Sequence, residues 1–167
     1  MKKINILIFI MLIFAFILTG CSGSKASGVT EGVKVNKEDL KIGFVHYSDP
    51  SDQGYTYTHD SSTWKMAAAL GIDKSQIINK YNVPDTAEAA TAFRELAEDG
   101  CQIIFSTSHG HEDYLLEVAF EYPNVVFCHF SGVKAASSGL SNVHNYFGDI
   151  AQVRYLSGVV AGLTTKT

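Results

Sequence analysis

The chain has 167 residues, 46% of them hydrophobic and 18% charged, the size and composition of one ordinary globular domain. These proportions exclude a collagen, a long coiled coil and a disordered chain. Thirteen basic residues against 17 acidic ones give a net charge of −4; such a surface repels phosphate backbones, so nucleic acid is not an expected partner.

Residues 1–20 have the form of a signal peptide. Lys2 and Lys3 make a positive start, and 4–18 is an apolar run interrupted only by Asn5, shorter than the roughly 20 residues a membrane-spanning helix needs. Without Lys2 and Lys3 the balance is 11 basic against 17 acidic residues, a net charge of −6. Leu18-Thr19-Gly20-Cys21 resembles the lipobox of bacterial lipoproteins, in which the cysteine is lipidated on sulfur and becomes the new N-terminus. The competing reading is a signal-anchor helix with an incidental cysteine. Acyl chains, at about 0.8 kcal/mol per buried CH₂, would hold Cys21 and the chain behind it at the membrane. Residues 21–39 then read as the lipidated cysteine and a flexible tether, because 22–39 holds Gly, Ser, Lys and Glu with isolated apolar residues and no periodicity.

From Leu40 to Thr167 an alternation of strand and helix signals begins. Residues 41–47 are β-rich and stop at Ser48-Asp49-Pro50. Residues 56–70 predict a helix closed by Gly71, and 76–81 a second strand. Asp85, with Glu88 three positions on, forms a capping-box pattern ahead of the stripe Ala89, Phe93, Leu96, Ala97. Residues 101–105 and 125–130 are apolar runs suited to buried strands, and between them 112–122 predicts a helix halted before Pro123. A last strand is expected at 142–147. A helix follows at 150–163, where Gly158 and Gly162 point to close packing against a neighbour. If 101–105 and 125–130 are adjacent parallel strands, Cys101 and Cys128 are offset by about four residues, too far for a disulfide. Both are expected to be buried free thiols.

This alternation predicts an α/β fold with a parallel, Rossmann-like sheet covered by helices on both faces. In such folds the ligand crevice lies beyond the carboxyl ends of the strands, so the loops 48–57, 106–113, 131–134 and 147–149 become the candidate site. The first holds Asp52, Tyr55 and Thr56, suited to a small polar molecule with a ring that stacks on tyrosine while a carboxylate accepts from its NH or OH groups. Asp52 or Thr56 is equally a candidate helix cap. The second loop, with Ser108, His109, His111 and Asp113, makes a donor-rich pocket floor. Its His-x-His also admits a zinc reading with Asp113, although strict ligand spacing is absent, and no metal is assigned. Hydrolase and nucleotide motifs are missing: there is no G-x-S-x-G, G-x-G-x-x-G or phosphate-binding loop. No catalytic residue and no cofactor is therefore expected.

Five blocks in order give the sequence a family likeness: Lys41-Ile42-Gly43-Phe44-Val45, Asp52-Gln53-Gly54-Tyr55-Thr56-Tyr57-Thr58-His59-Asp60, Ile104-Phe105-Ser106-Thr107-Ser108, Tyr122-Pro123-Asn124-Val125-Val126-Phe127 and Arg154-Tyr155-Leu156-Ser157-Gly158-Val159-Val160-Ala161-Gly162. Together they resemble the basic membrane protein (BMP) family, PnrA-like lipoproteins that serve as substrate-binding components of ABC transporters. The resemblance implies one lobe of a type I periplasmic-binding-protein fold, in which two α/β lobes close on a ligand that is commonly a purine nucleoside. It implies an ABC permease as partner and an extracytoplasmic, lipid-anchored location. Ligand contacts carry over to Asp52, Tyr55, Thr56 and Asp113. Many relatives have Trp or Phe at the position of Tyr55 and aromatics where this chain has His109 and His111. Such proteins are about twice this length, so 40–167 is expected to be the N-terminal lobe of a truncated receptor, the other reading being one half of a split receptor whose partner supplies the second lobe. The alternative is a ligand sensor that signals to a membrane partner on the same fold.

Overall fold

The computed structural model of the chain describes residues 34–166. The signal peptide, Cys21 and most of the expected tether lie outside the described residues. Folded structure begins before Leu40: a 3₁₀ turn at Lys37–Asp39 is fastened by the Gln76 amide, which donates to the carbonyls of Lys37 (2.6 Å) and Leu40 (2.7 Å).

Five parallel strands form one sheet in the order β2-β1-β3-β4-β5: β1 (Ile42–Val45), β2 (Ile77–Lys80), β3 (Ile103–Ser106), β4 (Val126–Phe130) and β5 (Val143–Tyr146). The parallel α/β lobe read from the sequence is thus borne out. All four residues of β1 are buried, which is why its sequence is a continuous apolar run and not an alternating one.

The connecting helices are α1 (Tyr55–Leu70), α2 (Ala87–Glu98), α3 (Glu112–Glu121), a short α4 (Ala135–Ser138) that the sequence reading did not include, and α5 (Ile150–Thr164). Gly71 ends α1 in the left-handed region at φ 61°, a conformation cheap only for glycine, and its N–H caps the carbonyls of Ala67 and Ala68. The cap of α2 is Thr86, whose hydroxyl accepts from the Glu88 N–H at 3.4 Å, and not Asp85 as the capping-box pattern suggested. Asp85 instead receives the Ser108 hydroxyl, a donor from another loop that no local pattern reveals.

The two faces of the sheet are filled differently. On one, Ala89, Phe93 and Leu96 of α2 and Leu115, Val118 and Ala119 of α3 close over Val45, Ile104, Phe127 and Val143, all buried. On the other, α1 lays Ala67, with Trp64 and Met66, over Ile42, Phe44 and Ile77. That second cover stops at β3, and Phe105, Val126, Cys128 and Phe130 remain only partly buried. Cys101 and Cys128 are free thiols, the first buried and the second half-buried. Phe105 pairs with Cys128 across β3 and β4, which sets Cys101 four residues out of register as expected. Helix α5 has no buried residue, and a Cβ at Gly158 or Gly162 would meet open space. The expected packing of that glycine pair on a neighbour is therefore not realised: no element among the described residues lies against it. No helix among the described residues is long and apolar enough to cross a membrane.

Candidate ligand-binding site

Strand order reverses at β1: the chain moves outward from β1 to β2, then returns across it to β3. A crevice opens where connections diverge in this way, beyond the carboxyl ends of the strands. A depression of about 430 Å³ lies there, lined by Tyr47 and Tyr55 after β1, Ser108 and His109 after β3, Phe130 and Ser131 at the end of β4, and Phe147 after β5.

Its apolar part is a cluster of rings centred on Phe130. Phe147 stacks on Phe130 with centroids 5.4 Å apart, while Tyr146 (5.3 Å), His59 (4.8 Å) and Tyr55 (6.2 Å) meet it edge-on. Tyr55 is 50% exposed, and its hydroxyl donates to the Thr107 carbonyl. That bond fixes the ring at the mouth and leaves a face for contact. Burial, aided by the charge of Asp85, raises the Tyr55 pKa and keeps the phenol protonated.

The polar part comes from two loops. Ser108 Oγ donates to Asp85 Oδ1 at 2.7 Å, and His109 Nδ1 lies 3.2 Å from the Ser131 carbonyl, to which it can only donate. Asp85, Ser108 and His109 thus present carboxylate, hydroxyl and imidazole groups beside the rings.

Three of the six ligand contacts named from the sequence, Tyr55, Ser108 and His109, meet in this depression; the other three do not line it. Asp52 accepts from the N–H groups of Gly54 (2.9 Å), Tyr57 (3.0 Å) and Thr56 (2.7 Å), so its carboxylate closes the loop into α1. Those bonds hold its pKa down to about 2. Thr56 is buried. Asp113 is exposed and paired with the Lys134 ammonium. The sequence reading missed Asp85, Phe130 and Tyr47 as lining residues. Phe130 ends an apolar strand and looks like core; its position at the carboxyl end of β4 was the available signal.

Ser106, His111 and Asp85 form a line that resembles a hydrolytic triad, with Ser106 Oγ 3.1 Å from His111 Nδ1 and His111 Nε2 3.2 Å from Asp85 Oδ1. Ser106 and His111 have no exposed surface. His111 Nε2 also donates to the Val83 carbonyl at 3.0 Å, and burial lowers the pKa of the ring. The arrangement is a strut beneath the pocket floor and presents no accessible nucleophile. Among the described residues no three His, Cys, Asp or Glu side chains converge as a metal site.

Residues 39–167 match the family model described as ABC transporter substrate-binding protein, PnrA-like. A purine-binding protein of Brucella abortus is 35% identical over 130 residues, 78% of this chain and 36% of its own length. A candidate ABC transporter glucose-binding protein of Haloferax volcanii is 27% identical over 139 residues, 83% of this chain and 32% of its own. The chain therefore spans about a third of the length of these curated relatives. Among solved structures, an ABC transporter solute-binding protein from Conexibacter woesei superposes with a TM-score of 0.61 at 22% identity, over 74% of this chain and 40% of that one. A transcriptional activator of the comK gene from Bacillus halodurans does so at 0.54 and 23%, over 76% and 41%. At these identities the two structures speak for the fold alone.

Proposed function

The chain belongs to the PnrA-like family of ABC transporter substrate-binding proteins, and from that premise we propose that it forms the ligand-receiving lobe of a lipid-anchored solute receptor. The ligand is a purine nucleoside or a similar polar ring compound, taken without chemistry and passed to an ABC permease. The anchor is Cys21, on the extracytoplasmic side of the membrane. The name of the Brucella abortus relative supports a purine ring. The observation that carries the reading is the half-exposed Tyr55 beside the Phe130 rings, with Asp85, Ser108 and His109 along the same rim. A heterocycle stacks on such rings, and its NH and OH groups have a carboxylate and a carbonyl-bound imidazole to meet.

A second lobe supplies the opposite wall in this reading. The depression is open, and a ligand held from one side keeps much of its hydration. The same logic assigns the exposed face of α5 to that lobe.

The test is calorimetric titration with purine and pyrimidine nucleosides and with glucose, on the chain itself and on the chain extended by the second lobe of a relative. Purine nucleosides are expected to bind the extended protein far more tightly than the chain alone. Tyr55→Ala in the extended protein should weaken that binding by roughly tenfold, or about 1.4 kcal/mol. Preference for glucose, or an unchanged affinity in Tyr55→Ala, overturns the ligand assignment. Tight binding by the chain alone overturns the need for a second wall.

A further inference from the structure

Two of the loops that line the depression, 107–111 after β3 and 131–134 after β4, are each tied by a buried side chain from another element. His129, at the end of β4 and fully buried, reaches the first. Its Nε2 lies 2.8 Å from the Ser108 carbonyl, and a carbonyl only accepts, so Nε2 carries the proton. Glu112, at the start of α3 and also buried, holds the second: its Oε1 accepts from the N–H groups of Val133 and Lys134, each at 2.7 Å, and from Asn145 Nδ2 at 3.3 Å.

Between these two anchors lies the Cα of Gly132. A Cβ added there would collide with three atoms at once: His129 Nδ1, Asn145 Nδ2 and Glu112 Oε1. The three atoms therefore surround one point. His129 Nδ1 is buried and, among the described residues, has no hydrogen-bond partner. A buried acceptor without a donor is uncommon and costly. Across Gly132 from it stands the carboxylate that holds the other loop.

We propose that His129 and Glu112 are positioning residues that clasp the two loops of the mouth at a fixed spacing, and that a proton on His129 Nδ1 changes how Glu112 holds its loop. The relevance of that spacing to a ligand rests on the reading above; the clasp itself does not.

The proton can go only to Nδ1, because Nε2 already carries one. The imidazolium then lies across Gly132 from Glu112, too far for a hydrogen bond, and its charge draws on the carboxylate that the Val133 and Lys134 N–H groups hold. The groups that bear on the ring are Glu112 at the start of α3, His111 and His109 in the turn before it, and Asn145 on β5. Burial is the largest influence and lowers the His129 pKa, the two histidines lower it further, and the Ser108 carbonyl and Glu112 raise it. His129 is thus neutral in the clasp at neutral pH and takes its second proton on acidification below the ordinary histidine range.

The test is an NMR titration of the full chain, labelled with nitrogen-15, from pH 8 to pH 5. His129 is expected as the single Nε2–H form at pH 8, with a midpoint below 6.5; the Val133 and Lys134 amide signals should move with that same midpoint. His129→Gln, whose side-chain amide can still donate to Ser108, should keep the wild-type amide positions of Ser131, Val133 and Lys134 at pH 8 and lose their titration. His129→Leu should displace them at every pH. A mixed or Nδ1–H tautomer, Val133 and Lys134 signals indifferent to the His129 midpoint, or a Gln variant that still titrates as wild type overturns the proposal. The wild-type titration decides the matter even if a variant fails to fold. No arm uses a nucleoside, so failure of the ligand assignment is read separately.

Discussion

The two faces of the sheet are made of the same strands and differ in almost everything else. Under α2 and α3, Phe93, Leu96, Ile104, Leu115, Val118 and Phe127 have no exposed surface. Beyond the edge of α1 on the other face, Phe130 and Cys128 are half-covered, and α5 stands clear with Val153, Leu156 and Val160 in solvent. Burial on the first face specifies the fold, because every methylene removed there leaves a void that close-packed neighbours cannot fill. The aromatic rings of the second face are held in place by each other and by β4, and so remain available to a ligand or a further lobe.

The largest test of this difference is in the closed face. Phe93 sits between Phe127, with centroids 6.5 Å apart, and the His111 ring at 5.9 Å. Phe93→Ala is expected to cost about 3–5 kcal/mol in urea unfolding. A cost below about 1 kcal/mol would mean that this face does not specify the fold.

Acid should act next, through buried and half-buried histidines. Burial lowers the pKa of His46, His59, His111 and His129 below the ordinary value of 6.5. Between the folded values and 6.5 the unfolded chain therefore binds more protons than the folded one, so stability rises with pH across that window and is flat above it. Lowering the pH from 7 to 5 should reduce the urea midpoint, each ring contributing a slope of up to about 1.4 kcal/mol per pH unit. A midpoint that stays level over this range would place these rings in water.

Most of the scaffold was legible in the sequence because each strand and helix carries its own period. The apolar run of β1, the Ala89–Phe93–Leu96 stripe of α2 and the stop at Pro123 are local signals. So is the placing of Tyr55, Ser108 and His109 at strand carboxyl ends, which follows from parallel topology once the strands are known. What failed was long-range. Asp85 has the sequence context of a cap, yet its partner Ser108 is 23 residues away, and Thr86 takes the cap instead. Asp52 reads as a ligand contact and as a cap, and only the three N–H groups around its carboxylate show that capping occupies it. His129 lies inside an apolar strand and shows nothing of Ser108 or Gly132 until the loops are folded over it.

The smallest expected effect sharpens the comparison most. Leu156 sits in the middle of α5, is 64% exposed and lies in one of the blocks that carry the family likeness. An apolar residue on a helix face normally contributes through burial, at about 25 cal/mol per Å² removed from water; where nothing covers it, replacement by serine changes only helix propensity and a little hydration. Leu156→Ser is therefore expected to stay within about 0.5 kcal/mol of the parent chain in urea unfolding. A loss of about 2 kcal/mol or more would mean that α5 packs on the half-covered face in solution, and the depression beside Phe130 would then be narrower than the open mouth described above. If the loss appears only when a relative's second lobe is attached, the helix belongs to that lobe's core, and the open face of the sheet is left for a different segment to cover.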